Sequence, residues 1–354
     1  MRRFMFLGIA VLTLAITFGI VACDPDDGGK IPKDFGIEMV QVPPVGTPTP
    51  YSFVMGSPEE EVGMEPVRET PTRTVIFTQG FRMGKYPITQ GQYRAVMGKN
   101  PSFHQGAFED ATFPSTPAGI ARKTAAEPNW EVENPDMLPV ECVGWYEMVE
   151  FCNILSELEG RTKAYNINKA VRDPNNINTG ADDVKWSITL IPGTNGYRLP
   201  TEAQWEYACR AGTTTPFSTG ETITTDQANF NGTKYLPDDE EGEYRGTTTP
   251  VDKFPANGWG LYDMHGNVYE ACWDFIMYAW TEANSYINYY TIAENPDYNP
   301  IGMAMGERRA ERGGTYGLAP RQARSAWRER CNQTRNNYDD LGFRLVLPLE
   351  GQTW

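Results

Sequence analysis

The sequence predicts an α+β domain in which short strands and helices alternate with much irregular structure. The 354 residues include 34 glycines and 27 prolines, roughly 17% of the chain against a usual ~12%, and both residue types interrupt long regular elements. Two segments carry apolar residues at helical spacing, and several short segments alternate like strands. A hydrophobic content of 40% is enough for one large core or two modest ones.

The first elements are strands. Residues 51–57 (YSFVMGS) and 81–89 (FRMGKYPIT) have the short, β-branched and aromatic composition that is typical of strands. The second strand leads into a helix, because Thr89 followed by Gln92 three residues later has the pattern of a capping box.

The next helix is predicted over residues 145–160. Its apolar residues recur at helical spacing and predict one buried face, and Gly160 is suited to end the helix. These apolar residues are Trp145, Met148, Val149, Cys152 and Leu155.

Residues 198–212 (RLPTEAQWEYACRAG) predict a further short helix. Thr201 and Gln204 have the spacing of a capping box, and Gly212 is expected to end the helix. The inward stripe consists of Trp205, Ala208 and Cys209.

Two features follow towards the C-terminus. Residues 259–274 read as a glycine-punctuated turn that runs into aromatic positions, and residues 342–348 alternate like a strand with Phe343, Leu345 and Leu347 on one side. Three polar segments rich in proline and asparagine are expected to be surface insertions in one domain, namely 101–139, 163–192 and 281–310.

The charge balance argues against nucleic acid as a partner. The chain has 31 Lys and Arg residues against 46 Asp and Glu residues, a formal net charge of −15. Proteins that bind nucleic acid neutralise phosphates with Lys and Arg, so this composition excludes that class of function.

The first residues have the pattern of a targeting segment. A basic start is followed by an apolar run, so residues 1–22 are predicted to be a signal peptide. The ending at residues 20–23 (IVAC) resembles a bacterial lipobox, which implies that Cys23 is acylated, for example with palmitate, and anchors the protein to a membrane. Residues 23–37 then form a tether. The folded part is expected outside the cytoplasm, at the outer membrane or cell surface; the alternative is an uncleaved membrane-spanning helix.

The remaining cysteines and histidines limit the chemistry of the chain. Without Cys23, an odd number of cysteines remains in a protein expected in an oxidising space, so not all of them can pair. No CxxC motif occurs, and His104 and His265 are the only histidines. Zinc or iron sites built from His and Cys clusters are therefore not expected. The five cysteines are Cys142, Cys152, Cys209, Cys272 and Cys331.

Eight separated blocks resemble, in order, the formylglycine-generating-enzyme or sulfatase-modifying-factor domain. The resemblance covers residues from about 38 to 348, and the single domain is placed at 38–350. It implies an elaborated C-type-lectin-like fold of the α+β class with much irregular structure. The blocks are FVMGS (53–57), YPITQGQY (86–93), LPVECVGWYEMVEFCN (138–153), RLPTEAQWEYACRAG (198–212), GLYDMHGNVYEACWD (260–274), RGGT (312–315), RSAWR (324–328) and GFRLV (342–346).

The resemblance does not extend to the catalytic residues of the oxidases. Oxidase members of the family have two cysteines six and eleven residues after the arginine of RGG(S/T), where their thiolates bind copper. Those positions are Leu318 and Ala323 here, and neither side chain can supply a nucleophile or a metal ligand. The branch that binds iron through HxxHxE does not match two scattered histidines. No enzyme activity and no catalytic cofactor are expected; the alternatives are an oxidase with a relocated thiol, Cys331, and a structural envelope protein.

Residues 312–344, which we call the terminal segment, resemble the diversified segment of variable proteins of diversity-generating retroelements, such as those of treponemes. In such proteins altered side chains between RGG(S/T) and GFR bind a ligand on a rigid scaffold. The unknown partner is expected to be a protein or a glycan on another cell or surface. The alternatives are an ordinary polar loop and a Trp327 that packs inward. The predicted ligand-binding residues are Tyr316, Gly317, Leu318, Pro320, Arg321, Trp327, Glu329, Arg330, Cys331, Asn332, Tyr338, Asp339 and Asp340.

The resemblance also implies structural Ca²⁺. The matching positions supply two carboxylates and two carbonyl groups, which is the kind of oxygen-ligand set that Ca²⁺ prefers; they are Asp263, Gly266, Val268 and Glu270. The alternative is that the two carboxylates pair with arginines. A second family site is not expected to be occupied because of substitutions at Glu243 and Tyr244; it maps to Asn229, Phe230, Glu243 and Arg245.

Five arginines lie in the segments that most resemble the family. We expect them to pair with carboxylates such as Glu202 and Glu206 and so to fix turns to helices, rather than to bind an anion. They are Arg198, Arg312, Arg324, Arg328 and Arg344.

Overall fold

Short helices and strands alternate along the chain, as the sequence predicts. The computed structural model describes residues 35–105, 134–178, 184–233, 241–276, 279–280, 286–287, 296–334 and 336–354. The predicted signal peptide (1–22), Cys23 and most of the tether lie outside this described part. Within it, no helix combines the length and the apolar character that a membrane span requires.

Four α-helices occur in the described residues. They are α1 (Pro66–Glu69), α2 (Gln90–Met97), α3 (Trp145–Leu158) and α4 (Glu202–Arg210).

The strands are short, as the glycine and proline content predicts. They are β1 (Met39–Val42), β2 (Tyr51–Met55), β3 (Arg73–Phe77), β4 (Phe81–Gly84), β5 (Tyr165–Arg172), β6 (Trp186–Leu190), β7 (Tyr269–Ile276), β8 (Ala279–Trp280), β9 (Tyr286–Ile287), β10 (Asp297–Tyr298), β11 (Arg308–Arg312), β12 (Glu329–Cys331), β13 (Leu341–Gly342) and β14 (Val346–Pro348).

The sheets connect distant parts of the chain. The strand order is β1-β4-β14 in one sheet, β10-β3-β2 in a second and β12-β11-β7-β13 in a third, and β5-β6 and β8-β9 form pairs. Val346 on β14 lies opposite Met83 on β4, which joins the end of the domain to its beginning. Two of the four strands of the third sheet, β12 and β13, come from residues 329–342, so the C-terminal part of the chain is built into the fold.

The predicted helix starts are confirmed. The side chains of Thr89 and Thr201 each accept a hydrogen bond from the backbone N–H three residues later. The side chains of Gln92 and Gln204 in turn accept a hydrogen bond from the backbone N–H of the threonine. The predicted end of α4 is off by one residue. Ala211, with φ 48°, takes the left-handed position, and its N–H donates to the Tyr207 carbonyl.

The predicted C-terminal strand is interrupted. β13 ends at Gly342 and β14 begins at Val346, although Phe343, Leu345 and Leu347 are all buried in one core cluster, as the alternation predicts. The segment predicted as an insertion at 163–192 also contains the β5-β6 hairpin, whose polar strand residues hid the pattern.

The core consists of two main clusters. One surrounds α3 and contains Trp145 and Phe343, and the other surrounds α4 and contains Trp205 and Met83. β11 is a strand of the third sheet and packs against α4, so the terminal segment starts on a closely packed support.

Candidate functional site

The terminal segment begins with an arginine that is fully buried. Arg312 donates from Nε to Glu202 Oε1 (2.8 Å) and from Nη2 to Glu206 Oε2 (2.7 Å), which fixes β11 to α4. Its Nη1 donates to the main-chain carbonyls of Ser325 and Trp327, at 2.8 and 3.1 Å. The Arg312 side chain therefore anchors the loop between β11 and β12 to α4.

A second buried arginine holds the middle of the segment. Arg324 donates from Nε to Glu61 Oε1 (2.9 Å), from Nη2 to the Ser57 hydroxyl (2.9 Å) and to Glu69, and from Nη1 to the Gly63 carbonyl (2.7 Å). These contacts tie the segment to the loop before α1 and to α1 itself.

The third arginine shares a carboxylate with the first. Arg328 forms a two-point contact with Glu202, with Nε–Oε1 and Nη2–Oε2 both at 2.5 Å. Burial alone would raise the pKa of Glu202, but the charges of Arg328 and Arg312 lower it to about 2. We call Arg312, Arg324 and Arg328 the arginine frame.

The expected pairing is confirmed for four of the five arginines named above. Arg344 also forms a two-point contact, with both oxygens of Glu270 at 2.6 Å. Arg198 is the exception, because it forms no ion pair with any residue that the structure describes.

A cleft of about 310 Å³ opens beside the first loop of the terminal segment. The terminal segment contributes six of its lining residues, and the remainder come from two distant loops. The segment contributes Thr315, Tyr316, Gly317, Leu318, Asp339 and Asp340, and the distant loops contribute Phe103, His104, Tyr244 and Gly246.

The floor of the cleft is held by a buried carboxyl group. Glu141 accepts hydrogen bonds from the backbone N–H groups of Phe103 (2.9 Å) and His104 (2.8 Å). Burial raises the pKa of Glu141 to about 8. His104 Nε2 lies 3.1 Å from the Tyr316 hydroxyl, and its Nδ1 lies 2.9 Å from the Thr247 hydroxyl, so the imidazole ring is fixed on both sides.

The cleft has a negative lining. Burial raises the pKa of Tyr316, and the nearby charges of Asp339, Asp340 and Glu141 add to this effect. The lining contains no Lys or Arg among its described residues.

Main-chain hydrogen bonds hold the cleft residues of the segment in place. The Tyr316 N–H donates to the Asn267 carbonyl (2.9 Å), and the Leu318 carbonyl accepts from Asn231 N–H (2.9 Å). The Asp340 carbonyl accepts from Tyr269 N–H at 2.7 Å. Since these bonds use only backbone atoms, they do not depend on the side chains at positions 316, 318 and 340.

The predicted ligand-binding residues divide into three groups. Tyr316, Gly317, Leu318, Asp339 and Asp340 line the cleft. Of these, Tyr316 is buried at 8% exposed, and its hydroxyl contacts His104. The exposed or half-buried remainder lies outside the lining and consists of Arg321, Glu329, Arg330 and Tyr338.

The third group is a correction to the sequence prediction. Trp327 is 3% exposed, and Cys331 and Asn332 are each 1% exposed; Pro320 is also buried. Trp327 packs inward, the alternative left open above. We remove these four residues from the proposed surface, because side chains in the interior cannot contact a partner.

None of the five described cysteines forms a disulfide. Burial raises the pKa of Cys209 to about 12 and that of Cys331 well above its usual range. Burial likewise raises the pKa of Cys142, with Glu141 adding to the shift, and burial raises that of Cys152 and Cys272. Thiolates are the reactive and metal-binding form of cysteine, so these thiols have the wrong protonation state for that chemistry at neutral pH.

The residues of the implied Ca²⁺ site do not fit the ion. Both Glu270 oxygens accept hydrogen bonds from Arg344, and Oε2 also accepts from Trp205 Nε1 at 2.7 Å. Asp263 Oδ2 accepts from Asn267 Nδ2 at 3.0 Å. The described residues contain no cluster of three or more His, Cys, Asp or Glu that could hold a metal.

The residues of the second family site also do not form a set of Ca²⁺ ligands. The buried Asn229 Oδ1 has no hydrogen-bond partner among the described residues, as a metal ligand would require. However, the Glu243 side chain is 58% exposed and pairs with Arg245 at 2.6 Å. One suitable oxygen does not make a Ca²⁺ site.

Several residues of the cleft carried no signal in the sequence. Glu141, Phe103 and Tyr244 were not predicted, and His104 was noted only as one of two histidines. Glu141 contacts Phe103 and His104 from 38 and 37 positions away, and His104 contacts Tyr316 from 212 positions away, and no local spacing reports such contacts.

Comparison with known proteins supports the fold and the resemblance. The sulfatase-modifying factor enzyme 1-like domain matches residues 39–349. Chaperone protein LppX of Paenibacillus barcinonensis is 34% identical over 215 residues, which cover 58% of this chain and 66% of LppX. The formylglycine-generating enzyme of Mus musculus is 26% identical over 312 residues, which cover 83% of this chain and 72% of the mouse protein.

A solved structure with the same fold is Treponema denticola variable protein 1. It superimposes with a TM-score of 0.63 and 25% identity, and the match covers 88% of this chain and 94% of the treponemal chain. The predicted C-type-lectin-like α+β fold is confirmed by these matches.

Proposed function

Because the chain belongs to the sulfatase-modifying factor enzyme 1-like domain family but has Leu318 and Ala323 at the positions of the oxidase cysteines, we propose that it is a non-catalytic binding protein. Its ligand occupies the cleft beside the terminal segment. The likeness to a variable protein supports this proposal, and so do the four buried thiols and the half-buried Cys142, whose raised pKa values disfavour thiolate chemistry.

One observation carries the proposal. The cleft residues are fixed through main-chain hydrogen bonds and through the arginine frame, whereas their side chains point into a cleft of about 310 Å³. Because backbone bonds carry much of this support, such a site accepts different side chains better than one held by side chains alone. This is the property that a diversified ligand-binding surface needs. The Tyr316 hydroxyl, 3.1 Å from His104 Nε2, is a side-chain contact that a substitution there would lose.

The lining favours a ligand with a cationic group. Two carboxylates, Asp339 and Asp340, lie beside the aromatic rings of Tyr316, Tyr244 and Phe103. Carboxylates attract a cation by charge, and aromatic faces attract it through their quadrupole. A lysine or arginine side chain of a partner protein has this chemistry.

The predicted location completes the proposal. Acylation of Cys23 would hold the domain at a membrane surface, with residues 23–37 as a tether that lets the cleft reach a partner outside the cell. The relative LppX is described as a chaperone protein. That activity belongs to LppX, and we do not assign it to this chain.

A turnover experiment separates this proposal from the oxidase alternative. The full chain, loaded with copper(I), is incubated in air with a cysteine-containing sulfatase peptide, and formylglycine is measured by mass spectrometry. A formylglycine-generating enzyme serves as the positive control. We expect no formylglycine from the wild type or from the Cys331→Ser variant. Turnover by the wild type that is lost in Cys331→Ser would contradict the proposal and establish a relocated catalytic thiol.

A further inference from the structure

A second cavity, of about 260 Å³, lies away from the terminal-segment cleft. It is bounded by the turn between β3 and β4, the start of α4 and the ring of Trp354. This volume is several times the ~30 Å³ that one water molecule occupies in the liquid. The cavity can therefore hold a small molecule.

Arg198 is the one charged side chain among the described residues that line this cavity. Its guanidinium carbon lies 3.5 Å above the centroid of the Trp354 ring. Trp354 is fixed in turn, because its Nε1 donates to the Gly196 carbonyl at 2.9 Å. The guanidinium group is thus held flat against an aromatic face.

The hydrogen-bonding capacity of Arg198 is not used by the fold. Its Nε is buried and has no hydrogen-bond partner in the described part of the chain. The buried arginines Arg312, Arg324, Arg328 and Arg344 each contact at least one carboxylate. Arg309, which is buried without an ion pair in the described residues, still donates from Nη1 to the Trp273 carbonyl. Arg198 has five N–H donors in a planar fork that matches a carboxylate or a phosphate, and leaving buried donors unsatisfied is costly.

The other polar groups of the cavity are neutral. They include the Thr201 hydroxyl group and the side-chain amides of Gln79 and Gln204, whereas the Thr78 hydroxyl is hydrogen-bonded to the Asn299 side chain. Hydroxyl and amide N–H groups can donate to an oxyanion that sits on the guanidinium group. Burial lowers the pKa of Arg198 to about 10, so the side chain stays protonated at neutral pH.

We propose that this cavity binds a small oxyanion, a carboxylate or a phosphate, through the guanidinium group of Arg198. The unpaired arginine, its stacking on Trp354 and the neutral polar lining together form a site for one negative group. This site is separate from the terminal-segment cleft, and the proposal does not depend on the function proposed above.

The experiment titrates the full chain with inorganic phosphate and, separately, with succinate, by calorimetry at constant ionic strength set with chloride. Saturable binding of phosphate identifies a phosphate site, and saturable binding of succinate identifies a carboxylate site. We expect at least one of the two to saturate. Absence of saturable binding for both probes would overturn the proposal.

Variants locate the binding. Arg198→Gln is expected to lower the affinity for the anion by at least about tenfold, since a hydrogen bond to a charged group contributes that much or more to affinity. Arg172→Gln removes the same charge from an exposed position, and its Kd should stay within about twofold of the wild type. Equal weakening by the two variants would show a general charge effect and would overturn the proposal.

A second variant covers the case in which Arg198→Gln does not fold. Gln79 is exposed at the rim of the cavity, so Gln79→Glu changes the charge with almost no change of shape. Its carboxylate would repel or replace the anion, and we expect affinity to fall by at least about fivefold. Unchanged affinity in Gln79→Glu, with a native circular dichroism spectrum, would place the anion elsewhere and contradict the proposal.

Discussion

Replacing Arg312 by alanine is expected to lower the free energy of unfolding by about 3–5 kcal/mol, as removal of one partner from a buried ion pair does. The change leaves Glu202 and Glu206 buried with one cation fewer, and it leaves the carbonyls of Ser325 and Trp327 without their donor. Urea denaturation followed by circular dichroism measures the loss. If the variant no longer folds, the milder Arg312→Lys should still show a destabilisation.

Arg321→Ala is the matched control. Arg321 lies in the same segment and is exposed, and its guanidinium carbon lies 5.8 Å from the Trp327 ring centroid. Its replacement should therefore change the free energy of unfolding by less than about 1 kcal/mol. Comparable losses in the two variants would mean that the segment is supported by its total positive charge and not by the buried contacts of Arg312.

The second large effect is a dependence of stability on pH that comes from Glu202. Arg328 and Arg312 outweigh the burial of Glu202 and lower its pKa from 4.5 to about 2. A carboxyl group with a lowered pKa contributes its stabilisation above the unfolded-state pKa and loses it as the pH falls towards the folded-state pKa. We therefore expect Glu202 to contribute about 3 kcal/mol that disappears between pH 4.5 and pH 2.

Glu202→Gln tests this expectation. The variant should be less stable than the wild type at pH 7, and the difference between the two proteins should shrink by about 3 kcal/mol as the pH falls from 4.5 to 2. The neighbouring carboxyl of Asp274 has its pKa raised to about 7 by burial and, next, by the charge of Glu202, so in the wild type it titrates above this window. Glu307→Gln changes an exposed position, and its free energy of unfolding should depend on pH in the same way as that of the wild type. A difference that stays constant with pH would show that Glu202 is not held ionised by the arginine frame.

The sequence predicts the local elements of this fold well because their signals are local. Thr89 and Thr201 each have their capping partner three residues away, and the apolar spacing of α3 lies within one helix. The pairing of Arg312 and Arg328 was also predicted, since arginines next to glycine and apolar residues need nearby carboxylates when they are buried.

The cleft could not be predicted from local pattern. His104 and Tyr316 lie 212 positions apart, yet their side chains meet at 3.1 Å. Only the tertiary fold brings the two loops together. Glu141 gave no signal for the same reason, although it holds the backbone of both Phe103 and His104.

The division of the terminal segment into buried and exposed residues was also hidden. The segment has no helical or strand period, so a mixed composition predicted a continuous surface. In the structure Arg68 lies 4.9 Å from the Trp327 ring centroid and helps to cover it. Cys331 is buried where β12 pairs with β11, with Cys331 opposite Arg309. Tertiary contacts, and not the residue types, decide which side chains face outward.

The central claim is that the terminal segment combines an invariant support with a changeable surface. Sequencing this locus across isolates tests it most directly. We predict that substitutions concentrate at the exposed and cleft-lining positions within 316–340, such as Leu318, Arg321 and Asp340, while Arg324 and Arg328 stay constant. Substitutions spread evenly along the chain, or replacement of the buried arginines as often as of the cleft residues, would contradict the claim.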